Sequence, residues 1–186
     1  MKPVPALQTA RLRLRGWRVQ DLAPLAAINA DPEVMRHLGG PIERRQSDMI
    51  VARFLEKWRE EPRFGWWALE RAEDGAFLGF VGLGRPDFEE PPAPCVEIGW
   101  RLARGAWGQG FAAEAARACL RHGFRTVGLG EILAFTTPTN GPSRRLIERL
   151  GMQRDPGADF DHPLAAGGGR RHLLFRLARA EWEALR

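Results

Sequence analysis

The sequence predicts an α/β (α+β) fold, one sheet covered by helices, and three observations carry that expectation. Strand-like and helix-like segments alternate through the second half of the chain. Apolar residues recur every second position in some segments and every fourth in others. A glycine-rich turn leads one strand directly into a helix. With 186 residues the chain is long enough to bury such a core and short for two full domains, so residues 1–186 are expected to form one domain.

The elements follow in order. Residues 10–17 alternate Leu12 and Leu14 with Arg11, Arg13 and Arg15, the pattern of a strand with one buried face. Asp21 is expected to cap a short helix carrying Leu22, Leu25 and Ile28, and Asp31-Pro32 opens another that stops at Gly39-Gly40. Ser47 is expected to cap a longer helix with an inner stripe of Ile50, Phe54 and Trp58. Segments 64–70 and 76–84 form a hairpin around Asp74-Gly75. Residues 85–94, with four prolines and three acids, are a loop.

Residues 95–102 read as the next strand, 104–110 as the glycine-rich turn, and 111–125 as a helix burying Ala112, Ala115, Ala116, Cys119 and Leu120. An apolar strand (131–137), a turn (139–143), a short helix (144–151), a loop (155–169), a strand (171–177) and a terminal helix with Trp182 complete the chain.

Composition narrows the function. No apolar run approaches a membrane span, and the first fifteen residues lack the apolar core and cleavage site of a secretory signal, so the cytoplasm is the expected compartment. Cys95 and Cys119 form neither a metal-ligand spacing nor a disulfide framework, and His37, His122 and His172 offer no metal spacing; no metal is expected. Net charge is +5, but the arginines are scattered with no basic stripe and interleaved aromatics, which argues against a nucleic-acid partner.

The chemistry begins at the strand-to-helix turn. Helix starts leave N–H groups unpaired at the positive end of the dipole, and Gly108 and Gly110 let a phosphate approach that backbone. A close helix packing is the alternative use of such glycines. The turn is no dinucleotide-binding fingerprint, because it comes late in the chain and lacks a third glycine at the required spacing.

The run Trp107-Gly108-Gln109-Gly110-Phe111-Ala112 resembles the acyl-CoA pyrophosphate loop of the GNAT N-acetyltransferases, with Trp107 where many members carry Gln or Arg. That variant, continued by Glu114-Ala115, is similar to the Rim-type branch, the ribosomal-protein alanine and serine N-acetyltransferases. Further likeness lies in Leu7, Thr9, Arg11, Leu12, Leu14 and Arg15, in 96–100, in Asn140 with Ser143, in 148–152, in Phe160, His162 and Pro163, and in 172–176.

The resemblance implies a GNAT fold, with a mixed, twisted central sheet of about seven strands, a splay between strands 4 and 5, and helices on both faces. It implies acetyl-CoA as cosubstrate, with the pantetheine arm along the backbone of Ile98, Trp100 and Leu102. The four steps between Leu102 and Ile98 span ~13 Å, the scale of that arm, which puts the thioester near Glu97. It assigns cofactor contacts to Trp107, Gly108, Gln109, Gly110, Phe111, Ala112, Asn140, Ser143 and Arg144, with Arg145 a further candidate for the phosphates. The implied partner is an amine on a protein N-terminus or a small molecule, and the implied assembly a monomer or homodimer.

Alternation puts Glu97, Gly99 and Arg101 on one face of their strand, and Ile98, Trp100 and Leu102 on the other. Glu97 is the candidate base for the ammonium, its alternative being an ion pair with an arginine. Relatives protonate the departing thiolate with a Tyr on the last helix. This chain has no Tyr; Ile147 stands there, and Ser143 is the nearest polar substitute, its alternative being a helix N-cap. Trp66 and Trp67 belong to the core, or one lines the acceptor pocket. His162 overhangs the acceptor channel or is structural, and an acetyl-cysteine route through Cys95 is disfavoured. Asp87, Glu89 and Glu90 hint at a cationic acceptor or are simply solvated. A non-catalytic acyl-CoA sensor is the competing reading.

Overall fold

The computed structural model describes residues 4–164 and 171–185. Its strands are β1 (Leu7–Gln8), β2 (Leu12–Arg15), β3 (Trp66–Arg71), β4 (Phe77–Gly84), β5 (Glu97–Leu102), β6 (Glu131–Thr136), β7 (Gln153–Arg154), β8 (Phe160–Asp161) and β9 (Arg171–Ala178). Its α-helices are α1 (Leu22–Ala30), α2 (Pro32–Met35), α3 (Arg44–Glu60), α4 (Phe111–Arg121), α5 (Gly141–Arg149) and α6 (Arg179–Ala184).

The sheet runs β1-β2-β3-β4-β5-β6-β9-β7, with β8 also on β9. Its described pairs are antiparallel except β5 with β6, so the sheet is mixed, as expected. The nine strands exceed the expected seven or so because β1, β7 and β8 are two-residue ladders, too short for a hydrophobic period to register.

Two cores lie on opposite faces. On one, Val81, Leu83, Ile98, Leu102, Ile132 and Phe175 of the strands meet α4, α5 and Trp182 of α6. On the other, Leu25 of α1, Val51 of α3 and Phe80 of β4 pack with Trp17, Phe54, Trp66 and Phe77. Burying apolar area on both faces at roughly 25 cal/mol per Å² is what holds the sheet between its helices.

Several local expectations are corrected. Asp21 stands at the N-cap of α1 but its carboxylate makes no cap bond to that helix; it accepts from Arg18 N at 2.8 Å and from both Nη groups of Arg15 at 2.7 and 2.9 Å, and Arg15 Nε reaches Glu70 at 2.6 Å. Ser47 does not cap α3, which starts at Arg44 after Glu43. It is buried inside that helix and accepts from Asn29 Nδ2 at 2.8 Å. The buried stripe of α3 is Ser47, Val51 and Trp58, with Ile50 only half-buried.

The helix expected over 111–125 ends at Arg121 and widens into a π-type segment over His122–Val127. Within it, Ala112 is only partly buried, and Phe111 and Ala113 take its place in the core. The expected 155–169 loop contains β8; residues 165–169 of it lie outside the described residues.

Candidate active site

The organising feature is the parting of β5 from β6. On the β4 side, β5 is paired from Glu97 (with Gly84) to Leu102 (with Gly79). On the β6 side the register holds a single pair, Glu97 with Leu133, and Leu133 N donates to Val96 O at 2.9 Å. The expected splay is therefore present. Since N–H and C=O of alternate residues point to the same edge, Ile98 and Trp100 face β6 as Val96 does; the Glu97–Leu133 pair takes up Val96 C=O and Ile98 N–H, so Ile98 C=O and both backbone groups of Trp100 open into the gap. Backbone groups so placed need partners, and the amides of a pantetheine arm have the matching donors and acceptors. Leu102 differs, because its carbonyl already accepts Trp107 Nε1–H at 3.0 Å.

At the wide end of the gap lies the glycine turn. Gly108 and Gly110 have φ of +72° and +80°, a region that costs a side chain about 1–2 kcal/mol. Among the described residues beyond its chain neighbours, no atom lies within 4 Å of where a Cβ on Gly108 would sit, so a phosphate has room against this backbone. Gly110 is the N-cap of α4, and the N–H groups of Phe111 and Ala112 open the helix behind it. The side chains of this loop serve the fold: Gln109 Nε2 donates to Gly105 O at 2.7 Å, Phe111 is in the core, and Trp107 is exposed.

A clamp fixes that loop, and sequence reasoning gave its members no role. Glu114, in the first turn of α4, accepts from Thr9 Oγ1 at 2.6 Å, Arg11 N at 2.9 Å and Arg11 Nε at 2.7 Å. Arg11 Nη1 also donates to Gln109 O at 3.0 Å. The signal was available in the motifs containing Thr9, Arg11 and Glu114, which lie far apart in sequence and meet here.

Glu97 stands at the narrow end. Its side chain is half-buried, and among the described residues nothing hydrogen-bonds its carboxyl. Burial pushes its pKa up to about 8; the Lys57 charge opposes this and Asp87 adds to it. The alternative of an arginine ion pair is not what the structure holds: Arg101, on the same face, gives Nη1 to Asn29 Oδ1 at 2.7 Å and lies 5.4 Å over the Phe80 ring. A carboxyl that is unpaired, partly accessible and titrates near neutrality has the properties of a general base.

Across the gap, α5 begins at Gly141, not 144, and its N-cap is Asn140, whose Oδ1 accepts from Ser143 N at 3.3 Å. Ser143 is therefore not the cap, and its half-buried hydroxyl has no partner among the described residues. Arg144 folds back, Nη1 on Pro138 O at 3.2 Å, leaving Nε buried without a protein partner. Arg145 is exposed, and Ile147 is in the core.

The remaining candidates sort by surroundings. Burial, helped by the Glu97 charge, raises Cys95 to about 11, which leaves almost no thiolate at neutral pH. Asp87 is neutralised by Arg53 and Lys57 of α3, while Glu89 and Glu90 are exposed. His162 joins Phe88, Phe135, Phe160 and His172 in a ring cluster with centroids 4.9–6.4 Å apart. Burial and the neighbouring His172 lower its pKa. Trp67 is fully buried and Trp66 half-buried. His37 Nδ1 lies 3.3 Å from Thr139 Oγ1, bringing the segment after α2 against the turn that precedes Asn140.

Among the described residues no cluster of His, Cys, Asp and Glu could hold a metal ion, and no helix is long and apolar enough to cross a membrane.

A parted parallel strand pair, a glycine turn at a helix start and a titratable carboxyl at the vertex define the class: an acyl-CoA-dependent transferase. The family described as an acetyltransferase (GNAT) domain matches residues 11–153, and the chain belongs to it. It is therefore an N-acetyltransferase that uses acetyl-CoA. The chain is similar to the uncharacterized protein YkkB of Bacillus subtilis (strain 168), 36% identical over 151 residues covering 78% of this chain and 84% of that one. Among solved structures, an acetyltransferase from Agrobacterium tumefaciens str. C58 superposes with a TM-score of 0.78 at 29% identity, covering 95% of this chain and 96% of that one. RimJ of Mycobacterium smegmatis, solved in complex with CoA-disulfide, shares the fold with a TM-score of 0.71 at 23% identity, covering 98% and 93%.

Proposed function

We propose that this enzyme transfers the acetyl group directly from acetyl-CoA to a primary amine, on a protein N-terminus or a small molecule, with Glu97 as general base. The carrying observation is the position of Glu97: an unpartnered carboxyl with pKa about 8 at the vertex where β5 leaves β6. An ammonium entering from the α1/α3 face gives its proton to Glu97, directly or through water. The neutral nitrogen then attacks the thioester carbon, the C–S bond breaks, the second proton that the nitrogen sheds passes to the departing thiolate, and Glu97 returns its own to solvent.

Other residues take supporting roles in this reading. Backbone C=O of Ile98 and N–H and C=O of Trp100 align the pantetheine arm, and a backbone N–H of β5 facing the gap stabilises the oxyanion. The backbone of residues 107–112 holds the pyrophosphate. Asn140 and Arg144, the latter with a free Nε, hold the cofactor from α5. The Ser143 hydroxyl relays that proton to the thiolate or anchors the water that does so, which its lack of a partner among the described residues supports. Cys95, held as a thiol, leaves the direct route. We read residues 1–186 as one such domain, acting in the cytoplasm as a monomer or homodimer.

A coupled thiol-release assay over a panel of amines and peptides tests this reading. Amine-dependent release of CoA is the expected result. Tight acetyl-CoA binding with no release on any acceptor would favour the sensor, a reading that buried Ile147 in place of a tyrosine keeps in view.

A further inference from the structure

We infer that Trp66 sets acceptor specificity, its indole N–H selecting amines that carry an oxygen acceptor next to the reacting nitrogen; this rests on the direct-transfer reading above. The argument begins with glycines. In register across three strands, Trp66 of β3 pairs with Gly82 of β4, and Gly82 with Gly99 of β5; one step along, Gly84 pairs with Glu97. Directly paired residues project to the same face, so Gly84, Gly99 and Glu97 share one.

The Trp66 indole lies flat on that bare patch. A Cβ on Gly84 would come within 2.7 Å of Trp66 Nε1 and Cζ2, and one on Gly99 within 3.0 Å of Cη2. The six-membered ring therefore covers Gly99, and the N–H edge covers Gly84, one strand spacing from Glu97. Phe54 stacks on the indole at 5.5 Å and Phe80 meets it edge-on at 5.9 Å. Its backbone is pinned as well, since Trp17 Nε1 donates to Trp66 O at 2.7 Å.

The indole N–H itself is unspent. Trp17, Trp58, Trp67 and Trp107 each donate theirs to a backbone carbonyl, whereas Trp66 Nε1 donates to nothing among the described residues. Nor is it sealed away, because the only buried unpartnered side-chain atoms described belong to Arg101 and Arg144. A small recess lined by Trp66, Gly84, Lys57 and Arg85 adjoins it. A rigid donor beside the proposed base, open to a recess, suits an acceptor whose amine meets Glu97 while its neighbouring oxygen takes the indole hydrogen. An α-amino carbonyl compound has that shape and a simple alkylamine does not.

Glycinamide and isobutylamine differ little in shape and test the idea as a pair. For each amine, kcat/KM of Trp66→Phe is divided by that of the wild type, which cancels their different basicities. Loss of one hydrogen bond should lower the glycinamide ratio about tenfold, mainly through KM, with isobutylamine changed less than twofold. Equal ratios would overturn the proposal. A second readout needs no turnover: in the CoA complex, the 15N-indole resonance that Trp66→Phe removes should move saturably with glycinamide and stay put with isobutylamine. No movement, or equal movement, would overturn it. Failure of acetyl transfer is separately visible as absence of thiol release with every amine, and the indole titration then decides.

Discussion

Glu97 and Leu133 are the last backbone partners before β5 and β6 separate, so the carboxyl is fixed at the vertex of the gap by the sheet itself. Movement of either strand would change the gap and the carboxyl together. On the proposed reading, this carboxyl meets the acetyl end of a cofactor whose phosphates lie at the glycine turn.

That turn gives the first prediction. Gly108→Ala adds a methyl into open space at φ +72°, so its fold cost is the left-handed backbone alone, about 1–2 kcal/mol. For a chain of this size that is a Tm loss of roughly 2–8 °C. Acetyl-CoA affinity should fall tenfold or more by calorimetry, because the methyl occupies the space assigned to phosphate. An unchanged affinity would reject the loop assignment.

Ser143 and Asn140 make opposite predictions. Asn140 is the cap of α5, so Asn140→Ala should cost about 1 kcal/mol of stability and also weaken acetyl-CoA binding. Ser143→Ala removes a hydroxyl with no partner among the described residues, so Tm and acetyl-CoA affinity should hold while kcat falls about tenfold or more. If Ser143→Ala lowers only Tm, the hydroxyl is structural.

The Glu114 clamp predicts coupling between stability and cofactor binding. Glu114→Ala leaves Thr9 Oγ1 and Arg11 without their acceptor, which should cost about 1–3 kcal/mol. It also frees the Gly110 turn, so the acetyl-CoA dissociation constant should rise with Tm loss. A Tm loss with unchanged affinity would separate the clamp from the site.

These contrasts show what the sequence could and could not convey. The long strands and the glycine turn were legible because each has a strong local signature: alternation at Leu12 and Leu14, the apolar run through Phe80, and Gly108 with Gly110; the splay was legible only through the family resemblance. Glu97 was legible only through strand parity and the family resemblance. Ser47 and Ser143 misled for one reason, that a serine ahead of an apolar run reads as a cap, whereas Glu43 and Asn140 start those helices. The Trp66 placement depends on register among β3, β4 and β5, which no local pattern encodes. Asp21 does stand at the N-cap of α1, but its carboxylate is taken by Arg18 N and the Arg15 guanidinium, partners that the cap pattern does not show.

The raised pKa of Glu97 also makes a stability prediction. The carboxyl ionises near 4.5 in the ordinary state and near 8 in the fold, so between those pH values the folded protein holds a proton that the unfolded chain has released. Stability from this group is therefore lost as pH rises from about 4.5 to 8 and changes no further above. Glu97→Gln cannot titrate, so the Tm difference, variant minus wild type, should grow from pH 5 to pH 8 and then level off in calorimetric scans. A pH-independent difference would contradict the shift.

The most direct test of the central claim is the pH–rate profile of Glu97→Gln with an accepted amine. The variant keeps the side-chain shape and loses proton acceptance. The account predicts a kcat about 10²-fold below wild type at neutral pH, acetyl-CoA affinity unchanged, and a defect that shrinks as pH rises and the amine arrives already neutral. A variant that retains nearly the full rate at neutral pH would contradict it, because the ammonium would then lose its proton to bulk water and Glu97 would serve only the fold.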